Sequence, residues 1–596
     1  MNFTSKVAHK KTSQSTKKPN LKWIYLLVVV FITAGIYAPS LNHDFTNLDD
    51  PGYVTENALI QKLDAQSVET LFNLETFVMG NYHPITMLSL AWDYDRFGVK
   101  SSRGFHLMNL VYHLLASIAL YFFILELTGI PLVAGITALV FGIHPMHVES
   151  VAWVASRKDQ LYALFFFLSL WSYVKYVKVN NPIWIVAAFV AFLASLLSKA
   201  MAAPLPVVLL LTDFWMKRKW GAVQLLEKVP FFALAVYFGL LAIDAQDASS
   251  AIGNVFSLQQ KLLFALSSFW LYVVKFFVPY KLGVLYPYPD LVNDSLPAMF
   301  YVRALLSLGL LAAVGASMRR TRTLAFGVGF FGLMLALVLQ IISVGQAIMA
   351  DRYTYLPYVG LTLMLALGVN EVLANQSLKK WKNIVLGGGI LFLVGWGFTA
   401  RARVDVWSDT ITLFTDQIEK YPNVGLAYNN RGKFYAANLG KMDLAFADLS
   451  KGIEVDPDYP NSYLNRGNIF GLRGDHDRAL QDYNRALELD AKYHDAYLNR
   501  AITYSIKGQY ERALEDFARA EQLGKKPSIY INRAYCRLSA GDYQGSVADY
   551  TTYLSFDPQN GAAYYYRSQA YRALGNASMA QRDAEAAKSL GFGQQR

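Results

Sequence analysis

The stretch WIYLLVVVFITAGIYAPSLNHDFTNLDDPGYV, residues 23–54, contains the first features that decide the fold. Its first part, residues 23–38, is an apolar run that predicts a membrane crossing. Because lysines precede this run and no small-residue cleavage site follows it, we expect an uncleaved anchor and not a signal peptide. Two adjacent carboxylates, Asp49 and Asp50, then meet Pro51-Gly52, which is typical of a turn.

Composition supports a membrane protein. Of the 596 residues, 54% are hydrophobic and 14% are aromatic, more than an ordinary soluble domain has. The single cysteine, Cys536, excludes a disulfide or a thiolate metal cage within one chain. The net charge is +11, and six lysines with no acid lie within residues 1–22. This local basic tail favours a membrane surface over nucleic acid as its partner.

Apolar stretches recur to about residue 400 and then stop. We take each as a candidate span, although several are shorter than the ~20 residues of a full crossing. The candidates are residues 23–39, 105–127, 131–146, 160–176, 183–198, 203–215, 229–244, 262–279, 300–317, 323–343, 353–373 and 383–400.

Basic loops tend to stay on the cytoplasmic side, and this predicts the orientation. Five basic clusters lie between or before the candidate spans: the N-terminus, Lys175 with Lys178, Lys217-Arg218-Lys219, Arg319-Arg320 with Arg322, and Lys379-Lys380 with Lys382. All five fall on one side only if residues 262–279 are re-entrant or interfacial, which leaves 11 spans. The N-terminus is then cytoplasmic. The loop 40–104, with nine acids and four bases, and all residues after 400, which include the repeats described below, are then extracytoplasmic. If all 12 segments cross, the C-terminal half is cytoplasmic instead.

From residue 427 onward the sequence is periodic. Asn-Arg pairs recur at spacings of 33 to 35 and glycines at spacings of 33 or 34. Alanine follows the glycine by five residues in four repeats, and serine takes that place in the other. This pattern resembles the tetratricopeptide repeat and predicts an α-solenoid of about five repeats over 427–596, after a linker at 401–426.

The predicted solenoid offers a groove for a protein or peptide. Tyrosines recur at one register position, which indicates packing. The Asn-Arg pairs are compatible either with packing and capping or with lining the groove. The two sets are Tyr428, Tyr463, Tyr497, Tyr530 and Tyr564, and Asn430-Arg431, Asn465-Arg466, Asn499-Arg500 and Asn532-Arg533.

The acidic pair suits proton abstraction. Adjacent like charges raise each other's pKa, so either Asp49 or Asp50 could serve as a base while its neighbour orients it. Such a base would take the proton of an acceptor hydroxyl as that hydroxyl attacks the anomeric carbon of an activated sugar. The alternative is a structural turn or helix cap.

A second polar cluster lies at residues 142–160. Arg157 and Lys158 are candidates to neutralise a lipid-linked phosphate. His144, His147 and Glu149 could instead hold a divalent metal, but they provide no fourth ligand. The sequence therefore predicts no certain cofactor.

Two further basic residues are candidates for the same phosphate. Arg352 is one, and its alternative is a simple ion pair with Asp351 at the bilayer surface beside Tyr353. Lys199 is the other, and its alternative is an interfacial anchor.

In the order of its motifs the chain resembles the transmembrane, tetratricopeptide-containing O-mannosyltransferases and their bacterial relatives. The resemblance covers about residues 23–590. Its motifs are the Asp49-Asp50 pair, YHP at 82–84 with His83, FHLMNLVYH at 105–113, HPMHVESVAWVASRKDQL at 144–161, DRYTYLP at 351–357 and the trailing repeats.

The resemblance implies an all-α GT-C type glycosyltransferase over residues 23–400, with a multispanning helical bundle. Such enzymes take a sugar from a polyprenyl-phosphate carrier, use an acidic residue of the first extracytoplasmic loop and invert the anomeric centre. By this resemblance Asp50 is expected to be the base and Asp49 to orient it. Arg157, Lys158 and Arg352 are expected at the lipid phosphate. A bacterial inner membrane is the expected location.

We therefore predict a membrane glycosyltransferase that transfers mannose or another hexose to an acceptor hydroxyl on protein. The repeats would bind the acceptor or a partner. One alternative is a membrane-anchored repeat scaffold for envelope assembly, although about 11 spans exceed what an anchor needs. Another is a GT-C type enzyme that acts on a glycan or lipid acceptor.

Overall fold

A computed structural model describes residues 21–248, 256–289, 291, 295–318, 321–339, 341, 345 and 347–592. The chain forms two compact units, one up to Asp409 and one from Thr410. The predicted basic tail lies outside the described residues except at its end. Within the described residues both units are built almost entirely of helices, so the predicted all-α class is confirmed.

The first unit contains sixteen α-helices among its described residues. They are α1 (Leu21–Tyr37), α2 (Ala65–Phe72), α3 (Pro84–Phe97), α4 (Arg103–Thr128), α5 (Pro131–Ile143), α6 (Val148–Ala152), α7 (Arg157–Val179), α8 (Ile183–Ser198), α9 (Leu205–Trp215), α10 (Ala222–Leu226), α11 (Val229–Ala248), α12 (Leu258–Phe277), α13 (Ala298–Met318), α14 (Arg322–Ala336), α15 (Tyr358–Ala374) and α16 (Lys382–Val406).

Short elements connect these helices. A two-stranded antiparallel ribbon pairs β1 (Tyr286–Pro287) with β2 (Ala347–Met349). One π-helical turn covers Pro51–Thr55, directly after the acidic pair. The 3-10 turns are Ala38–Asn42, Ala58–Ile60, Pro145–His147, Val154–Ser156, Ala200–Ala202, Asp351–Thr354 and Gln376–Trp381.

Five helical segments among the described residues are long and apolar enough to cross a membrane. A sixth is formed if the bent pair Pro131–Ile143 and Pro145–Ala152 counts as one span. The bend of 55° follows from Pro145, because the residue before a proline is driven out of the helical conformation. The predicted number of 11 spans stays a prediction, since the other apolar helices are short.

The predicted linker at 401–426 is largely helical. Helix α16 continues to Val406, and α17 (Thr410–Lys420) begins the second unit. The apolar pattern does end near residue 400, but Arg401 and Asp405 form an ion pair four residues apart that supports a solvent-exposed helical turn. A loss of hydrophobicity therefore marked the end of the apolar segment and not the end of the helix.

The second unit continues as five helix pairs, which confirms the repeats. The pairs are α18 (Gly425–Leu439) with α19 (Met442–Val455), α20 (Pro460–Leu472) with α21 (His476–Leu489), α22 (His494–Ile506) with α23 (Tyr510–Leu523), α24 (Pro527–Ala540) with α25 (Tyr543–Phe556), and α26 (Gly561–Ala573) with α27 (Ala577–Ser589). The predicted glycines lie between paired helices with φ from +63° to +84°, where a side chain would be strained.

The arginines of the Asn-Arg pairs pack inside the repeats. In the third pair Arg500 donates through Nε and Nη2 to the two carboxylate oxygens of Asp516, both at 2.7 Å. The same forked ion pair recurs in the other four repeats. Arg500 also covers the ring of Tyr497 at 5.5 Å. Of the two alternatives for these arginines, the contacts favour packing, and the tyrosines pack as predicted.

We expect Arg500→Met to loosen the third repeat. Loss of two charge-assisted hydrogen bonds to a nearly buried carboxylate should cost about 1.5–3 kcal/mol. Hydrogen exchange of the α22 and α23 amides in the full chain would measure it. The matched control is Arg485→Met, because Arg485 is 43% exposed and its ion pairs are with two exposed acids, Glu488 and Asp458. Equal exchange in both variants would contradict a structural role for these recurring arginine–aspartate ion pairs.

Candidate functional site

Asp50 is buried, and both oxygens of its carboxylate accept hydrogen bonds. Oδ2 accepts from the Thr46 backbone N–H at 2.8 Å and from the Thr46 hydroxyl at 3.0 Å. Oδ1 accepts from the Ala155 N–H at 2.9 Å. Burial raises the pKa of Asp50 to about 7, and these hydrogen bonds oppose the rise. Asp50 therefore fastens the first loop to the turn that precedes α7.

Asp49 lies beside it in a different environment. Its side chain is half-buried, and its carboxylate makes no hydrogen bond or ion pair to any part of the chain that the structure describes. Its charge acts on Lys158 and on Tyr53. Of the two acids, Asp49 is thus the one with oxygens available to another molecule.

Lys158 and Tyr53 form the wall next to Asp49. The Lys158 ammonium donates to the Tyr53 hydroxyl at 2.7 Å and lies 4.3 Å from the centre of its ring. The Tyr53 backbone N–H donates to the Asp49 carbonyl at 3.1 Å. Tyr53 was not predicted as a site residue, and its position four residues after Asp49 is the only sign of it in the sequence.

Arg352 lies near this group, since its charge acts on Lys158 and Tyr53, and Glu149 holds it in place. The buried Glu149 carboxylate accepts from the Arg352 backbone N–H at 3.0 Å and forms an ion pair with its guanidinium. The Arg352 side chain is 23% exposed and lies against the Tyr353 ring at 5.1 Å. The ion pair of Arg352 is thus with Glu149 and not with Asp351, as the alternative had it, and the Asp351 carboxylate accepts from the Tyr286 hydroxyl.

Lys199 is the third basic residue of this region. Its ammonium forms an ion pair with the buried Asp159, and its side chain is 11% exposed. The charges of Lys158 and Arg352 both act on it. The structure therefore brings Lys158, Lys199 and Arg352 together, although they are far apart in sequence.

Arg157 belongs to a separate, closed network. Its side chain is fully buried and forms an ion pair with the buried Asp93. It also donates to the Asn109 side chain at 2.8 Å, to the Phe105 carbonyl at 2.8 Å and to the Ser89 carbonyl at 3.2 Å. The guanidinium thus ties α3, α4 and α7 together, and we leave Arg157 out of the proposed phosphate site.

The two histidines of the 142–160 segment use their ring nitrogens internally. His144 bonds the Phe276 carbonyl at 3.0 Å and the Met146 N–H at 3.2 Å. His147 bonds the carbonyls of Phe141 at 2.8 Å and Thr354 at 3.3 Å. Glu149 is paired as described above, and no group of three potential ligands for a metal ion occurs among the described residues. The proposed His144, His147 and Glu149 metal site is therefore not formed.

His83 is brought to the same region. It is 3% exposed, and its ring lies 5.4 Å from that of Tyr53. The first loop, the 142–160 segment and the 351–357 motif therefore meet at one place. Residues of all three are needed to build it, as their shared resemblance implied.

Comparison with known proteins finds matches to both parts of the chain. Family models described as tetratricopeptide repeat match residues 426–459, 460–493 and 482–515. Among solved structures, a tetratricopeptide protein, YrrB, described as having an unusual peptide-binding site, is 19% identical. The match covers 30% of this chain and 91% of that one, with a TM-score of 0.27.

The curated relatives bear the name expected from the motifs. Mouse protein O-mannosyl-transferase TMTC4 is 30% identical over 176 residues, which is 26% of this chain and 23% of the mouse protein. A Caenorhabditis elegans protein O-mannosyl-transferase is 23% identical over 455 residues, 73% of this chain and 63% of the worm protein. The matches thus span less than two thirds of these relatives. The predicted resemblance to tetratricopeptide-containing O-mannosyltransferases is confirmed.

Proposed function

We propose that this chain is a membrane glycosyltransferase that moves a hexose from a lipid phosphate to a hydroxyl group on a protein. The observation that supports this proposal most is the open carboxylate of Asp49 beside the cationic cluster of Lys158, Lys199 and Arg352. A free base next to gathered positive charge suits a reaction that removes a proton and releases a phosphate.

Asp49 is the proposed base, in place of Asp50. The acceptor oxygen attacks the anomeric carbon, and the bond from that carbon to the phosphate oxygen breaks with its electron pair left on the phosphate. Asp49 takes the hydroxyl proton. Attack opposite to the leaving phosphate inverts the anomeric centre, so an axial linkage becomes equatorial or the reverse. Asp50 holds the loop, and hence Asp49, in position.

The cationic cluster is proposed to stabilise the departing phosphate. Arg352 has the exposure and the planar donors for two phosphate oxygens, while Glu149 fixes its orientation. Lys158 lies closer to the acids, with Asp49 and Asp159 as opposing charges. Developing negative charge in such a water-poor site is stabilised more strongly than in bulk water.

Intact-protein and glycopeptide mass spectrometry would test this function. We expect cells that contain the gene to carry hexose-sized increments on proteins, and cells without it or with Asp49→Asn to lack them. The scaffold alternative predicts the opposite pattern: deletion of residues 427–596 abolishes function, and Asp49→Asn has no effect. Increments that vanish from lipids or glycans only would assign another acceptor.

A further inference from the structure

A tight turn at residues 78–81 carries an unusual residue for its backbone shape. The Val78 N–H donates to the Asn81 carbonyl at 2.9 Å, and the Asn81 N–H donates to the Val78 carbonyl at 3.0 Å. The two central residues, Met79 and Gly80, have φ of +50° and +68°. A two-residue turn with positive φ at both central positions is usually built from Asn-Gly, Asp-Gly or Gly-Gly. Methionine is therefore the exception in this turn.

The backbone of Met79 is strained. A positive φ brings the Cβ of an ordinary residue too close to the following carbonyl oxygen, whereas glycine avoids the clash and asparagine tolerates it. Among the residues that the structure describes, the other non-glycine positions with positive φ are Asn180, Lys217 and Lys281. Strain of this kind is concentrated at functional sites. It therefore points to a use for the Met79 side chain.

The Met79 side chain covers the turn that carries the acidic pair. A Cβ added to Gly52 would lie only 2.6 Å from the Met79 sulfur, so the two residues are in close contact. Gly52 is three residues after Asp49, whose carbonyl accepts from the Tyr53 N–H. Met79 as a whole is nevertheless 51% exposed. It therefore presents an open apolar surface next to the turn of the proposed base.

Three contacts hold the backbone of this turn in place. The Asn81 side chain donates to the Met79 carbonyl at 2.7 Å, and it also acts on the Tyr53 hydroxyl. Gln246 of α11 donates to the Gly80 carbonyl. Both peptide groups that flank Gly80 are thus hydrogen-bonded, and the Met79 side chain is presented from a fixed position.

The proposed transfer has a use for an apolar surface at this place. The phosphate is assigned to the basic side chains of Lys158, Lys199 and Arg352, whereas the acceptor is an uncharged hydroxyl group on a peptide. That hydroxyl must reach Asp49. Because consecutive Cα atoms are only about 3.8 Å apart, the neighbouring residue of the peptide comes close to the same turn. Methionine is unbranched and polarizable, and it adapts to side chains of different shapes.

We infer that Met79 binds the apolar side chain of the residue next to the hydroxyl-bearing residue of a peptide acceptor. Met79 is then a specificity-determining residue, and its backbone strain is retained for that contact. The inference rests on the proposed function for the nature of the acceptor, but peptide binding can be measured without any sugar.

The test uses the full chain in nanodiscs and two fluorescein-labelled hexapeptides, AALTLA and AAATAA, with binding measured by anisotropy. We expect wild-type protein to bind the leucine peptide about tenfold more tightly, the factor that about two buried CH₂ groups supply. Met79→Asn should bind both peptides equally. Its melting temperature should equal or exceed that of wild type, because asparagine suits this turn. Met79→Leu keeps an apolar side chain and should retain most of the preference.

Lys217→Asn is the matched control. Lys217 is an exposed residue just after α9 with φ of +59°, so the variant relieves the same kind of strain away from the acidic pair. Its preference for the leucine peptide should equal that of wild type. If Met79→Asn folds poorly, Met79→Gly decides, since glycine adopts a positive φ without strain.

A preference that persists in Met79→Asn would overturn the inference. No binding, or equal binding of both peptides by wild type, would do the same, and equal binding is the result expected if Met79 only contacts lipid. A chain that shows the preference through Met79 yet transfers no hexose would keep this site and refute the proposed function. Hexose transfer to both peptides at equal rates by wild type and Met79→Asn would keep the function and refute the inference.

Discussion

Asp49→Asn should lower the rate of hexose transfer by about 10²–10⁴-fold, the usual contribution of a general base. The amide has nearly the shape of the carboxylate but cannot take a proton from the acceptor hydroxyl. Because the Asp49 carboxylate makes no hydrogen bond or ion pair among the described residues, folding and membrane insertion should be unaffected. Single-turnover transfer by protein of equal melting temperature would measure the loss.

Two other variants sharpen this prediction. Asp44→Asn is the matched control, since Asp44 is an exposed acid of the same loop and should leave the rate unchanged. Asp50→Asn should lower both activity and melting temperature, because its amide would place a donor against Thr46 or Ala155, at about 1–3 kcal/mol. Full activity in Asp49→Asn would remove this residue from the mechanism. A loss confined to Asp50→Asn without destabilisation would return the base to Asp50.

Arg157→Met should unfold the first unit more easily, with a loss of about 3–5 kcal/mol. The variant leaves Asp93 buried without its cation, and it strips the Phe105 and Ser89 carbonyls and the Asn109 side chain of a shared donor. The expected result is a large drop in melting temperature, measured in detergent by the intrinsic fluorescence of the tryptophans. Transfer activity should fall in parallel with the folded fraction.

The double variant Arg157→Met with Asp93→Leu separates structure from function. Replacing both charges with apolar groups should restore much of the stability, because the cost lies in the orphaned carboxylate. Arg352→Lys is the contrasting variant: it keeps a cation beside the buried Glu149 carboxylate, so we expect a small change in stability, but it loses the planar pair of donors, so we expect a large loss of transfer. If Arg157→Met were stable yet inactive, Arg157 would belong to the phosphate site after all.

The helical repeats could be predicted because the residues that define each repeat lie close together in the sequence. A turn glycine and a small residue five positions later fix one helix pair, and the period of 33 or 34 residues repeats that pair along the chain. Hydrophobic runs predicted membrane helices in the same way. The ends of these helices were predicted less well. Pro145 bends one predicted span, and another helix continues past its apolar part through a charged turn at Arg401.

The sequence by itself therefore determined the architecture, the acidic pair and the set of basic residues around it. Only the tertiary structure decided their surroundings. Asp50 is bonded to Ala155, whereas the carboxylate of Asp49 is half-buried. Arg157 is enclosed in a buried ion pair, whereas Lys158, the next residue in the chain, bonds Tyr53. The physical reason is that a side chain's availability depends on partners from distant segments. Adjacent residues of a turn or helix point in different directions, so two neighbouring side chains of the same charge can have different contacts in the folded protein.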